Sequence, residues 1–333
     1  MVREWDPQTA PSDEIDSMVT SLNEMLAADL PDDPPWRSDA FREYMSVTMP
    51  GERRVIWVAE DDTGKIVGQS NLLLFGEMAV LEVLVAPNAR RTGVGTRLMA
   101  EAVQRAYREG FTSLGVEVIG GTPAVRFYED AGFDCAYTET RSVLELANVD
   151  WLRLGEMAAG IGAGYRVEYH PGGPPEELYE TYAAAKYVTR GQGEPADAFR
   201  PSSLNAERLK ASLKTLHLRG LKPYVVVGVH EGTGEVAGLT EVVVAAQHPD
   251  RADQYDTIVV PEHRGYGLSR ALKARMLFEL RSAEPSLKSV QTWNSLDADS
   301  ILSVNTELGF QADREWREYE AEVAPLARRL NVA

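Results

Sequence analysis

Two stretches of the chain carry the spacing of an anion-binding turn. Arg90-Arg-Thr-Gly93-Val-Gly95 follows an apolar run ending in Val85-Ala-Pro87, and Arg264-Gly-Tyr-Gly267-Leu-Ser269 follows one ending in Val259-Val-Pro261. In each, valines feed a turn whose glycines leave backbone N–H groups uncovered at a helix start, where the helix dipole presents about half a positive charge. That arrangement suits a pyrophosphate. Neither stretch ends in Gly-Lys-Ser/Thr and neither has the third glycine of the dinucleotide fingerprint, so those two phosphate loops are excluded.

A second block follows each turn: Tyr128-Glu-Asp-Ala-Gly132-Phe133 after the first and Asn305-Thr-Glu-Leu-Gly309-Phe310 after the second. The arginines are offset by 264 minus 90, or 174 residues, and the glycines by 309 minus 132, or 177, which is the period of a duplicated domain. Arg-x-x-Gly-x-Gly/Ser after a strand ending Val-x-Pro, with Tyr-x-x-x-Gly-Phe downstream, resembles the GNAT superfamily of acyl-CoA N-acyltransferases. The resemblance implies acetyl-CoA as cofactor, with its pantetheine paired along Val83, Leu84 and Val85 and its pyrophosphate held by Arg90, Arg91, Thr92, Gly93, Val94, Gly95 and Thr96. Tyr128 then matches the tyrosine that protonates the coenzyme A thiolate; the alternative is a tyrosine packed under the sheet with its hydroxyl on backbone. The second copy offers Val259, Arg264, Gly265, Tyr266, Gly267, Leu268 and Ser269 for the same cofactor, but Asn305 stands where the tyrosine would be and is no Brønsted acid. The second copy is therefore expected to be degenerate.

Glu82 lies eight residues ahead of Arg90, and Asp256 eight ahead of Arg264, so each copy has a carboxylate at one point where a base relaying through water could work. Glu117 on the next strand is the other candidate, and each acid could instead serve a backbone group or an arginine. The loop from Asp29 to Trp36 is expected beside the acceptor, with Asp32, Asp33 and Trp36 as substrate contacts; as turn residues beside prolines they need no function. The matching loop of the second copy is Arg190 to Asp197. None of the five histidines has the spacing of a metal pair, and no metal is expected; His263 reads as a solvated turn residue. A covalent acyl-enzyme has no support, since there is no Gly-x-Ser-x-Gly elbow and no Cys/His pair.

These residues need strands and helices in a fixed order. Amphipathic helices are expected over 14–28 and 41–48, strands over 55–60, 66–74 and 80–85, a helix over 95–109, a strand over 114–119, a helix over 123–131 and two short strands, 133–138 and 142–146. A helix and a Gly-rich segment then precede a repeat of the order: strands over 165–170, 224–230, 236–244, 257–260, 289–293 and 315–322, helices over 176–188, 206–218, 268–281 and 298–308. The fold class is α/β (α+β), two tandem GNAT folds, each a mixed, mostly antiparallel sheet flanked by helices. Domains are expected at 1–149, catalytic, and 150–333.

With 333 residues the chain is long enough for two cores, and 34 basic against 51 acidic residues give a net charge of −17, which argues against nucleic acid or an anionic membrane as partner. A cationic amine would be attracted; the alternative is that acidic pairs such as Asp61-Asp62 and Glu176-Glu177 only solvate the surface. No apolar run is long enough to span a bilayer and no secretion signal opens the chain, so a cytoplasmic protein, monomer or homodimer, is expected. Cys135, the only cysteine, is expected to be a small buried hydrophobe. The reading is an N-acetyltransferase moving acetyl from acetyl-CoA to a primary amine of a small molecule in a ternary complex. Its rivals are an enzyme resembling mycothiol synthase, with the C-terminal half active, and a non-catalytic acyl-CoA-binding or interaction protein.

Overall fold

The computed structural model describes residues 1–49, 51–76, 78–188, 205–296 and 298–333. The described residues fall into two compact units, and these are not the linear halves expected. The first comprises Met1–Thr138 and Glu315–Ala333; the second comprises residues 139–188 and 205–314. The correction has a topological cause, because the two copies exchange their last strands.

In the first unit the sheet runs β1 (Val2–Trp5), β2 (Arg53–Glu60), β3 (Ile66–Phe75), β4 (Met78–Val85), β5 (Ser113–Ile119) and then β12 (Gln311–Glu322), the final strand of the chain. All neighbours are antiparallel except β4 and β5. Helices α1 (Ser12–Asp29) and α2 (Ser38–Ser46) cover one face, burying Ile15, Met18, Leu22, Phe41 and Met45 against Ile56 and Val58. The other face is covered by α3 (Val94–Arg108), α4 (Pro123–Ala131) and α10 (Val323–Arg329). Val94, Leu98, Met99, Ala102, Val103 and Ala106 form the buried stripe of α3, the 3.6-residue period that makes it amphipathic. Gly68 on β3 lets this helix approach: a Cβ there would lie 3.0 Å from the Leu84 carbonyl and 3.2 Å from both Leu98 and Val94.

The second unit repeats the plan with β7 (Tyr165–Pro171), β8 (Leu221–His230), β9 (Val236–Ala245), β10 (Arg251–Val259), β11 (Ser289–Ser295) and then β6 (Asp134–Glu145), which begins in the first copy. Here β10 and β11 are the parallel pair. One face carries α6 (Tyr179–Val188) and α7 (Ala206–Leu218), the other α5 (Trp151–Ala159), α8 (Leu268–Ala283) and α9 (Asp299–Leu308).

Three expectations fail locally. The two short strands at 133–138 and 142–146 are one strand, β6, because the polar Arg141 is not a turn residue: it is buried, with Nε donating to Asp313 Oδ2 at 2.7 Å and Nη1 to Gln291 Oε1 at 3.4 Å. Cys135 is exposed, as are its neighbours Asp134 and Ala136 at the start of β6. The strand expected at 257–260 begins six residues earlier, at Arg251, with a bulge between Gln254 and Thr257. No described helix is long and apolar enough to cross a membrane.

Candidate active site

The site of the first unit is built where the parallel pair comes apart. β4 and β5 are paired only from Met78/Ser113 to Val80/Gly115, yet β4 runs on to Val85 and β5 to Ile119. The splayed length leaves backbone N–H and C=O groups of both strands facing a wedge, and buried backbone groups need partners. An extended amide chain laid along Val83, Leu84 and Val85 would supply them in the manner of an added strand.

At one end of the wedge is the turn into α3. Gly93, at φ +83°, is its N-cap; no side chain caps the helix and no acidic residue stands in its first turn. By contrast α5 is capped by Asp150 and α7 by Asn205. The uncapped amides from Val94 onward are thus available to an anion. Gly95 sits under the Phe127 ring, and Arg97, which the sequence reading passed over, brings Nη1 to 3.3 Å from where a Gly93 Cβ would be. Its position four residues after Gly93 was the available signal. Arg91 is exposed at φ +63°, whereas Thr92 turns its hydroxyl to the Ala89 carbonyl at 2.7 Å. Arg90 does not reach outward at all: its guanidinium is bound to Asp29 and to the Val85 carbonyl.

The throat of the wedge holds the titratable groups. Glu82 and Glu117 each lie two residues beyond the last parallel pair, Val80/Gly115, on the same face of the sheet. Both are accessible to water yet ringed by protein, the situation of a cleft floor that is open to a solute and poorly solvated. Burial raises the Glu82 carboxyl against the opposing pull of Arg54 and an Asn71 hydrogen bond. Burial, then the charges of Glu318 and Glu82, push Glu117 up to about 7. Glu318 pairs across from Glu117 on β12 and went unnoticed in the sequence, since nothing local places the last strand beside β5. With Glu52, Leu73, Phe75, Val80 and Val116 these two acids line a cavity of about 230 Å³.

Tyr128, 4% exposed, packs edge-on to Phe127 and Phe133 and also reaches the throat, so the two readings of this residue describe one geometry. Burial and then the Glu82 charge hold the phenol well above its usual range, against the opposing pull of the Val83 backbone N–H, so it is protonated at neutral pH. Asp32, Asp33 and Trp36 do not line the cavity, and Trp36 packs edge-on to Phe41 and at a tilt to Tyr44 instead.

The second unit has the same splay, with pairing from Arg251/Ser289 to Gln254/Thr292 and then none, and the same uncapped turn at Gly267 before α8. Its groups are committed internally. Lys186 binds Glu241 at 2.6 Å and Asp256 at 2.9 Å, and the Tyr182 hydroxyl donates to Glu241, so the carboxylate matching Glu82 is neutralised. Asn305 accepts from Lys273 Nζ at 2.6 Å and donates to Asn294 Oδ1 at 2.7 Å. Against the turn itself lies the Gly-rich segment: a Cβ on Gly267 would be 2.7 Å from the Gly160 carbonyl oxygen, and the Gly162 N–H donates to the Tyr266 carbonyl at 3.0 Å. His263 is not a solvated turn residue, since Nδ1 bonds the Tyr165 hydroxyl at 2.9 Å. Arg264, Gly265 and Tyr266 are exposed, Leu268 is buried, and the loop 190–197 lies outside the described residues.

Comparison with known proteins agrees with this geometry. Residues 16–133 match the acetyltransferase (GNAT) family. A tandem GNAT protein from the clavulanic acid biosynthesis pathway superposes with a TM-score of 0.81 at 24% identity, covering 97% of this chain and 98% of that one. A GCN5-related N-acetyltransferase from Sphaerobacter thermophilus gives 0.70 at 15% identity over 97% and 95% of the two chains. A glucosamine N-acetyltransferase region of a fungal multi-domain β-N-acetylglucosaminidase gives 0.67 at 14% identity, covering 96% of this chain and 38% of that one. Curated protein sequences give no match. Residues 16–133 thus match the GNAT acetyltransferase family, and the chain has the fold of a tandem GNAT protein across its length.

Proposed function

We propose that the first unit is an acyl-CoA-dependent N-acetyltransferase that passes an acetyl group to a primary amine of a small molecule by direct attack in a ternary complex. The observation that carries this reading is the coincidence, at one splayed pair of strands, of an uncapped helix start, an unpaired strand edge and a buried phenol close to Glu82 and the Val83 backbone. Acetyl-CoA would supply the activated thioester. Val83 to Val85 would hold its amide chain, and the amides from Val94 to Thr96, with Arg91 and Arg97, its diphosphate.

At the throat the Val83 N–H and the Tyr128 O–H meet at one point. The phenol can quench a sulfur anion as it departs. Glu82 and Glu117 face this point with raised proton affinity, so that near neutral pH one of the pair can accept the proton of the attacking amine, directly or through water. The carboxylates of Glu52, Glu117 and Glu318 suit a cationic acceptor. In the second unit the Lys186 ion pairs, Asn305 and the Gly160 carbonyl argue against turnover, and so against the C-terminal half as the active one.

Release of free thiol from acetyl-CoA over a panel of primary amines tests the proposal. Turnover with at least one amine, lost on blocking the amine, is expected. Binding of acetyl-CoA with no thiol release on any amine would leave the non-catalytic rival standing.

A further inference from the structure

Resemblance assigns Arg90 to the diphosphate, whereas the structure commits its guanidinium to the protein. Nε donates to the Val85 carbonyl at 3.0 Å, Nη1 to Asp29 Oδ1 at 2.9 Å and Nη2 to Asp29 Oδ2 at 2.5 Å. This is the planar fork-to-fork pairing that an arginine makes and a lysine cannot. Both side chains are about three-quarters buried, at 26% and 27% exposure, so the pair is screened less than a surface ion pair. Asp29 is the last residue of α1, where the negative end of the helix dipole also attracts the guanidinium.

Three pieces of chain meet at this one side chain: the end of the wedge strand, the turn into α3 and the end of α1. Beyond Asp29 the chain forms the segment 30–36, whose far end is held by Asn23, with Nδ2 donating to the Trp36 carbonyl at 2.9 Å and Oδ1 accepting the Trp36 N–H at 2.8 Å. We propose that Arg90 is a positioning residue and not a phosphate ligand: it braces the diphosphate turn against β4 and ties it to segment 30–36, so that the two move as one piece. The proposal rests on the reading that the first unit binds acyl-CoA, with Arg91, Arg97 and the helix amides as the anion's partners.

The test has two arms, applied to the full chain with Arg90→Gln, Arg90→Lys, Asp29→Asn and the Arg90→Gln/Asp29→Asn double variant. In hydrogen exchange without any ligand, segments 30–36 and 91–93 should both exchange faster in every variant, and the double should match the singles. An Arg90→Gln chain in which segment 30–36 keeps its wild-type exchange overturns the brace. In calorimetry with coenzyme A, each single variant should weaken binding about tenfold, and the double also about tenfold rather than a hundredfold, the non-additivity of one shared contact. If Arg90→Lys keeps wild-type affinity, or Asp29→Asn binds as well as or better than wild type while Arg90→Gln fails, Arg90 is a ligand and the proposal is wrong. A wild-type chain that binds no coenzyme A refutes the reading of the site, and the exchange arm still decides the brace.

Discussion

The two copies of the glycine turn share their backbone and differ in what lies against it. At Gly93 the nearest atom to an added Cβ is a guanidinium nitrogen at 3.3 Å; at Gly267 it is a carbonyl oxygen at 2.7 Å. The same division recurs at the throat. Glu82 keeps a raised proton affinity against Arg54 and Asn71, while Asp256 is held by Lys186; Tyr128 rests on the Val83 amide, while Asn305 is spent on Lys273 and Asn294. The splayed strands survive in both units, so the wedge is a property of the fold, and the units differ in the groups placed around it.

The sharpest way to break this contrast is at the phenol. Tyr128→Phe should lower kcat by about 10²- to 10³-fold with little change in KM, the loss expected for one general acid. Asn305→Tyr in the second unit should add nothing, because Lys186 and the Gly160 carbonyl remain. Thiol release by the two variants checks both statements, and full activity in Tyr128→Phe would remove the tyrosine from the mechanism.

A second large effect distinguishes the cores. Lys273 is 1% exposed, and burial lowers its amine to about 7 from an unfolded value of 10.5; it occupies the place on α8 that Met99 takes on α3. A depressed amine means that between about 7 and 10.5 the unfolded chain binds more protons than the folded one. Stability therefore rises with pH across that window, and the penalty is complete below it. Lys273→Met should stabilise the chain at pH 7 by about 1 to 3 kcal/mol, after about 1 kcal/mol is lost where Asn305 gives up its partner, and the gain should shrink toward pH 10. Denaturant unfolding at three pH values measures it; a gain that does not depend on pH would mean that Lys273 is not the titrating group.

Glu117→Gln should produce a smaller change confined to the first unit. With the carboxyl at about 7, kcat/KM in the wild type should climb as pH rises from 6 to 8, and the variant should lose that limb and about tenfold in rate at pH 8. If the limb persists in Glu117→Gln and vanishes in Glu82→Gln, the base is the other member of the pair.

Much of this was legible because it rests on local spacing. The turn residues, the helix-end glycines at 132 and 309, and the carboxylates eight residues ahead of each arginine all follow from near neighbours in sequence. What was illegible depends on distant chain. The strand reads as broken between 138 and 142 until Asp313 is seen beside Arg141, and Glu318 and Tyr319 read as the end of the second copy until β12 is found paired with β5, where Tyr319 donates to Glu129 on the helix of Tyr128. Helix α10 was not among the expected elements; its Pro325 stands in the first turn, where proline costs no hydrogen bond. The pairing of Arg90 was hidden for a related reason: its partner Asp29 is 61 residues away, and spacing alone cannot show where a guanidinium is bound.

The smallest effect expected isolates backbone from charge. Arg91 stands at φ +63°, where the second copy has Gly265 at +87°. A side chain in the left-handed region costs about 1 to 2 kcal/mol, offset in part by the greater freedom of an unfolded glycine, about 0.5 to 1 kcal/mol. Arg91→Gly should therefore leave the chain as stable as before or up to about 1 kcal/mol more stable, and it should weaken coenzyme A binding several-fold, more so at low ionic strength, by removing a cation beside the diphosphate. Opposite signs in thermal unfolding and in calorimetry would show that the strained arginine is kept for the ligand. Losses in both would assign it to the fold, and the first turn would then owe its anion site to backbone amides and Arg97 alone.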